Sequence, residues 1–378
     1  MKIGLLTYYG DLNCGTNLQA YALLTHLCSL FPADGVEIVP LHGFNPPGRH
    51  PYLHQCTFRT LCNDVVRMRK YKSFVKSNLG VVKDHVIKDV DKALRFINDR
   101  NYDAIFVGAD TLLELDRIHD NNNLSLYWLS PKVKAKKFMV AASVKNVEYA
   151  SLTPMQKEKM SMTLSDFSGY AVRDSTSITL LENFIPQSSI DLLPDPTFGL
   201  NVDYRYVEAY MSDRKLNIPS KSILFHTNKE DLWVESEIER LKSDGYKIYS
   251  FRPVSWADEV LNDMSPLEQL GIYRYFDCVV THRFHDAVFC LKNQTPMLLY
   301  SPHGFSVGQN GSSKFSDLLN MFGLYETNFL CTYENLSLKV NDAKNAFVSK
   351  RMVIDSEIRR LLEKYNSYLE YCRNVLLK

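Results

Sequence analysis

The chain opens Met1-Lys2-Ile3-Gly4-Leu5-Leu6-Thr7-Tyr8-Tyr9-Gly10, passes through the polar turn Asp11-Leu12-Asn13-Cys14-Gly15, and then runs with helical period from Thr16 to Leu30. A second short apolar run follows at Val36–Leu41. An apolar run, a helical segment and a second apolar run read as a β-α-β unit, which calls for a parallel sheet covered on both faces. The alternation continues through the chain and predicts further strands at Ala104–Gly108, Lys137–Ser143, Tyr170–Arg173 and Ile190–Leu193. In the second half it predicts Ile223–Thr227, Lys247–Phe251, Cys278–Thr281 and Met297–Tyr300. Between them lie helices at Val90–Asp99, Pro154–Phe167, Ser175–Asn183, Leu232–Asp244, Pro266–Tyr275 and Asp286–Asn293. Thr153-Pro154 and Ser265-Pro266 each supply a capping hydroxyl and a first-turn proline.

The fold class expected is therefore α/β, with two Rossmann-like domains facing a cleft and a long C-terminal helix. The polar connector before Ser220 sets a first domain at 1–205 and a second at 206–345. Ile354, Ile358, Leu361, Leu362, Tyr365, Leu369 and Cys372 recur at helical spacing. They predict a helix at 346–378 that packs back on the first domain.

Length and charge agree with this outline. At roughly 150 residues per domain, 378 residues make two or three domains with ample core. Lys and Arg number 44 against 43 acids, a net of +1 that argues against a nucleic-acid-coating surface. No apolar stretch reaches the roughly 20 residues that span a bilayer, and the N-terminus reads as a strand, not a signal peptide. Eight cysteines are scattered with no C-x-x-C pair, which suits free thiols in a cytoplasmic protein.

Chemistry is expected where strands end. In the first turn Gly15 and Asn17 are candidate ligand contacts, and Thr16 with Gln19 reads as a capping box. The turn is neither a P-loop nor G-x-G-x-x-G. Asp110 ends a strand and could face a ligand or cap a helix. Arg173, at another strand end, could grip a carboxylate or phosphate, or form a surface ion pair with a nearby acid that contributes little to stability. Arg283 and His285 join a permanent cation to an imidazole at a helix start, while His282 reads as a structural hydrogen-bonder. His303 lies in a glycine-containing loop, and Lys314 falls in the first turn of a helix, where a cation opposes the dipole and an anionic ligand would relieve it. Residues 49–76 carry Arg49, Arg59, Arg67, Arg69, Lys70, Lys72 and Lys76 against Asp64, with aromatics interleaved. That stretch suits acidic headgroups or a phosphorylated acceptor, or is a solvated helical face.

Taken in order, these pieces resemble the polysaccharide pyruvyl transferase family. They are Gly-Thr-Asn-Leu-Gln-Ala-Tyr-Ala-Leu at 15–23, Phe-Val-Gly-Ala-Asp at 106–110, Met-Val-Ala-Ala-Ser at 139–143 and Tyr-Ala-Val-Arg-Asp at 170–174. Leu-Pro-Asp-Pro-Thr at 193–197, Arg-Phe-His-Asp-Ala at 283–287 and Lys-Phe-Ser-Asp-Leu-Leu at 314–319 complete the set. The resemblance implies a GT-B-like fold and transfer of a pyruvyl group from phosphoenolpyruvate onto sugar hydroxyls of a surface glycan or lipid-linked precursor. Phosphoenolpyruvate is then the donor substrate and neither cofactor nor metal is needed. It further implies that Arg283 binds the donor, His285 protonates its methylene, Arg173 and Lys314 hold anionic groups, and Asp110 faces donor or acceptor. Where relatives show Ser-Asp and then a tryptophan, this chain has Ala109-Asp110-Thr111-Leu112-Leu113. The other readings of such a fold are a nucleotide-sugar glycosyltransferase and a non-catalytic glycan-binding protein. The basic stretch would place the protein against the inner face of the membrane.

Overall fold

The computed structural model describes residues 1–42, 58–115, 123–145, 147–227, 233–300, 314–330 and 335–378. Of these, residues 1–42, 72–200 and 361–378 form one compact unit, and 58–71 with 201–360 form another.

The first unit carries β1 (Lys2–Leu6), β2 (Gly35–Ile38), β3 (Leu41–His42), β4 (His85–Val86), β5 (Ala104–Gly108), β6 (Lys136–Val140), β7 (Phe167–Val172) and β8 (Ile190–Leu192). Its helices are α1 (Cys14–Leu30), α3 (Val90–Asp99), α4 (Pro154–Leu164), α5 (Ser175–Leu181) and the end of α2 (Phe58–Asn78). Six strands pair in parallel in the order β2-β1-β5-β6-β7-β8. Apolar residues fill both faces. Ile105, Val107 and Met139 enter one core cluster, and Phe106 stacks on Phe138 at 5.1 Å between ring centroids. That two-sided burial is why these strands read as unbroken apolar runs.

The second unit carries β9 (Ser222–His226), β10 (Lys247–Ser250), β11 (Glu259–Val260), β12 (Cys278–Thr281) and β13 (Met297–Leu299), parallel in the order β11-β10-β9-β12-β13. Its helices are α6 (Arg205–Asp213), α7 (Trp233–Ser243), α8 (Pro266–Ile272), α9 (Phe284–Lys292), α10 (Lys314–Met321) and α11 (Tyr325–Asn328). Both expected caps form. Thr153 and Gln156 make a capping box on α4, and Ser265 and Glu268 make one on α8.

The last helix, α12 (Leu336–Leu377), starts before the 346 set by spacing. Leu336, Val340, Ala343 and Phe347 extend the same buried stripe upstream. Leu336, Val340 and Ala343 belong to the core of the second unit, and residues 361–378 to the first unit. There the Tyr368 hydroxyl donates to the Met139 carbonyl at 2.7 Å and Lys136 Nζ to the Val375 carbonyl at 2.9 Å.

Each sheet has one point where strand order reverses. In the first, the chain leaves β1 for β2 on one side and later returns to β5 on the other. In the second, it leaves β9 for β10 and returns to β12. At such points the following loops diverge and open a crevice beyond the strand C-termini.

Candidate functional site

In the second unit the reversal point lies between His226, which ends β9, and Thr281, which ends β12; the two are paired in register. The chain then places His282, Arg283, His285 and Asp286 at the start of α9. Asp286 is buried and organises the group. It accepts from Thr281 Oγ1 at 2.8 Å and from the Tyr273 hydroxyl at 2.8 Å, and its other contact is His226 Nδ1 at 2.6 Å. Burial alone would raise this carboxyl, but His226, Tyr273 and Thr281 outweigh it and hold it at about 2. Thr281 Oγ1 also accepts from the Arg283 amide at 2.9 Å, which fixes the backbone from which Arg283 projects.

Arg283 and His285 are half-buried, while His282 is buried with Nδ1 3.2 Å from the Tyr300 hydroxyl. Burial, then the charge of Arg283, pushes the His282 imidazole down to about 2, so it is neutral near pH 7. Arg252, just beyond β10, donates to the Thr227 carbonyl at 3.2 Å, and its charge acts on both His226 and His282. Lys314 begins α10, its Nζ 5.6 Å from the centre of the Phe284 ring, and Phe315 packs on that ring. Arg283, His285 and Lys314 thus gather at the first turn of α9. His303 lies outside the described residues.

In the first unit the reversal point brings the turn after β1 to the end of β5. Asp110 Oδ2 accepts from Thr16 Oγ1 at 3.1 Å, and Oδ1 accepts from the Thr111 amide at 2.7 Å. Asp110 adopts φ +58°, and the chain after it makes bridges and bends, not a helix, so Asp110 is no helix cap. Gly108 packs so closely that a Cβ there would lie 1.8 Å from the Val140 carbonyl oxygen.

Three expectations are corrected here. The Thr16–Gln19 capping box does not form: α1 starts at Cys14 behind Asn13, both residues are buried within it, and Thr16 turns to Asp110. Asn17 does not face a ligand. It is wholly buried, with Nδ2 donating to the carbonyls of Asp11 and Asn13 and Oδ1 accepting from the Gly10 amide, so it shapes the turn. Gly15 is buried in the first turn of α1. Arg173 does not offer its guanidinium to an anionic ligand. Its side chain is 1% exposed, 2.9 Å from Asp195 and 3.6 Å from Asp110. The neighbouring Asp174 caps α5.

From Phe58 on, the basic stretch is the helix α2, and its cations divide. Lys70 pairs with Glu268 at 2.8 Å, Arg67 lies over the Tyr71 ring, and Asp64 is buried beside Asn262. Arg69, Lys72 and Lys76 are exposed, along with Leu61, Val65 and Val66. Arg49 and the side chain of Arg59 lie outside the described residues. Among the described residues no helix is long and apolar enough to cross a membrane, and no group of three His, Cys, Asp or Glu side chains could hold a metal ion. Cys14, Cys28, Cys62, Cys278, Cys290 and Cys372 are in no disulfide.

No motif in the sequence singles out His226, Arg252 or Tyr273. His226 and Arg252 sit at or just past strand ends, the rule that found Asp110, but only the strand order shows that they flank the reversal point.

Two parallel Rossmann-like sheets with polar side chains gathered beyond their strand ends place the chain in the GT-B-like class. Solved structures share that fold. A UDP-N-acetylglucosamine 2-epimerase aligns with TM-score 0.56 at 11% identity, covering 98% of this chain and 96% of its own. The Neisseria meningitidis UDP-GlcNAc 2-epimerase bound to UDP-GlcNAc aligns with TM-score 0.52 at 9% identity over 100% of both chains. A Rickettsia africae glycosyltransferase aligns with TM-score 0.53 at 13% identity, covering 97% of this chain and 98% of its own. Within this class, the polysaccharide pyruvyl transferase profile matches residues 13–304, and the chain belongs to that family of transferases. No curated protein sequence matches it.

Proposed function

We propose that the protein transfers the pyruvyl group of phosphoenolpyruvate to two hydroxyls of a glycan or its lipid-linked precursor, forming a ketal and releasing inorganic phosphate. One observation carries this reading: Arg283, Lys314 and His285 converge on the first turn of α9, at the reversal point of the second sheet, with Arg252 nearby. The donor carries a carboxylate and a phosphate, and guanidinium and ammonium groups at a helix N-terminus suit both.

In the proposed reaction His285 delivers a proton to the C3 methylene, which becomes a methyl group, and C2 takes positive character. A sugar oxygen bonds to C2 and sheds its proton. The C2–O bond to phosphate then breaks, and a second sugar oxygen closes the ketal with loss of its proton. Of the two hydroxyl protons, one balances the proton taken up at C3 and the other leaves as hydrogen phosphate. Arg283 and Lys314 offset the charge on the departing phosphate. Asp110, held by Thr16, is assigned to the acceptor. Arg173 acts through Asp110 as a positioning residue. The exposed Arg69, Lys72 and Lys76 are assigned to acidic headgroups around a lipid-linked acceptor.

The test is acceptor-dependent phosphate release from phosphoenolpyruvate across a panel of glycans and lipid-linked sugars, with a thermal-shift arm comparing phosphoenolpyruvate and UDP-GlcNAc. His285→Ala should lower kcat by on the order of 100-fold or more, and Arg283→Ala should abolish the donor-induced shift. Stabilisation by UDP-GlcNAc with phosphoenolpyruvate inert would overturn the reading.

A further inference from the structure

Ketal formation needs a proton acceptor as well as a donor, since each attacking hydroxyl must lose its proton. His285 is already assigned to C3 as the proton donor. We infer that His226, oriented by Asp286, is the base that takes the acceptor hydroxyl proton. This inference rests on the pyruvyl-transfer reading.

The argument begins with the tautomer. Asp286 accepts from Thr281 and Tyr273 and is therefore an ionised acceptor where it meets His226 Nδ1 at 2.6 Å. A carboxylate has no proton to give, so Nδ1 of His226 carries the hydrogen and Nε2 keeps its lone pair. An imidazole so held by a carboxylate has one nitrogen fixed and the other available as a base, the arrangement by which a histidine relieves a hydroxyl of its proton. The carboxylate also steadies the imidazolium that results.

Position supports the same role. His226 is the last residue of β9, the central strand of its sheet, directly on the reversal point. Its side chain keeps 15% exposure, whereas Asp286 keeps 5%. The ring is walled by Phe251 in an edge contact at 5.3 Å and by His282 at 6.2 Å between centroids. The charges facing it are Asp286 and Arg283 on α9 and its cap, and Arg252 beyond β10. His282, neutral near pH 7, adds no cation there. Burial and the two arginines favour the neutral ring and Asp286 opposes them, so the resting imidazole is poised to accept. A histidine serving only to pack β9 would need neither a carboxylate nor a place on the crevice.

The test uses His226→Asn, whose side-chain amide can still donate to Asp286 but offers no Nε2 lone pair. Acceptor-dependent kcat should fall by on the order of 100-fold or more, with the KM for phosphoenolpyruvate within about threefold. The acidic limb of the kcat–pH profile, which reports protonation of His226, should disappear. Asp286→Asn, which keeps shape but not charge, should move that limb and lower kcat. Imidazole nitrogen-15 shifts should show His226 protonated at Nδ1 in the wild-type protein. Wild-type kcat in His226→Asn, or an unchanged acidic limb in both variants, overturns the inference. An Nε2-protonated ring overturns it even if either variant fails to fold. If the wild-type protein releases no phosphate with any acceptor while His226 shows the Nδ1 tautomer, the pyruvyl-transfer reading is what fails.

Discussion

Arg173→Met separates two accounts of the first unit. If Arg173 grips an anionic substrate, the change lowers substrate affinity and leaves the fold intact. The structure says the opposite. The guanidinium is 1% exposed and sits 2.9 Å from Asp195, which is fully buried, and 3.6 Å from Asp110, which is 13% exposed. Removing the cation strands the Asp195 carboxylate in the interior, a change that costs about 3–5 kcal/mol. Asp195 keeps two other donors, the Thr197 amide at 3.0 Å and the Thr197 hydroxyl at 2.6 Å. That favours the lower end, about 3 kcal/mol. The Asp110 contact adds little, being longer and partly in water.

With a urea slope of about 3 kcal/mol/M, the midpoint of unfolding should fall by about 1 M in a titration followed by circular dichroism. The double variant Arg173→Met/Asp195→Asn removes the stranded charge while its amide oxygen still accepts from Thr197. It should regain about 2 kcal/mol despite burying an unpaired amide hydrogen. The singles would then be strongly coupled, with the double more stable than Arg173→Met alone. A midpoint for Arg173→Met within about 0.2 M of wild type, joined to weaker donor binding, would refute the reasoning and restore Arg173 as a ligand contact.

Three further outcomes follow from other contacts. His282 titrates near 2 when folded, against about 6.5 when unfolded, so its contribution is complete above pH 6.5 and falls by about 1.4 kcal/mol per pH unit below it; His282→Gln should flatten the stability–pH curve by one proton between about pH 6 and 4, and an unchanged slope would show that the ring is not held neutral. Gly108→Ala, whose Cβ would lie 1.8 Å from the Val140 carbonyl oxygen, should cost about 3 kcal/mol or more, whereas Gly35→Ala, with open space around it, should stay within about 0.5 kcal/mol, both read by melting temperature. Exposed Arg69, Lys72 and Lys76 should each add about 1 kcal/mol of attraction to an anionic bilayer, so changing all three to Gln should weaken sedimentation with phosphatidylserine vesicles by about two orders of magnitude at low salt, and equal binding would dismiss the surface.

Sequence legibility tracked how local each decision was. The strands at Ala104–Gly108 and Cys278–Thr281 and the helix at Val90–Asp99 have the bounds read from the sequence, because continuous apolar runs and a cap decide them locally. The start of α1 was misread because Thr16 has a stronger claim on it than the helix end: its hydroxyl serves Asp110, 94 positions away. Asn17 does the local work instead, tying down the turn. Arg173 stood correctly at a strand end, yet only the paired β7 and β8 reveal that Asp195 lies against it. His226 was invisible for the same reason. Its partner Asp286 is 60 residues on, and the order β9-β12 alone makes them neighbours.

The two reversal points share a topology but not a sign of charge, and that difference argues for which substrate each takes. In the first unit one guanidinium, Arg173, lies against Asp110 and Asp195. In the second, Arg252 and Arg283 act on His226 beside Asp286, and Lys314 lies over the ring of Phe284, the residue after Arg283. At 4 Å and an effective dielectric of 20, two unit charges interact by about 4 kcal/mol, so one misplaced sign outweighs most hydrogen bonds. The proposed donor, a phosphate with an attached carboxylate, would be drawn to the second cluster and repelled by the first, where an uncharged sugar hydroxyl would meet no penalty. Asp286 then stands at a conflict: its charge orients His226 but also opposes the donor. Asp286→Asn should therefore tighten phosphoenolpyruvate, lowering its KM, while slowing turnover. A residue that merely held α9 in place would weaken both binding and turnover when changed, and a higher KM together with a lower kcat would refute the assignment of charge.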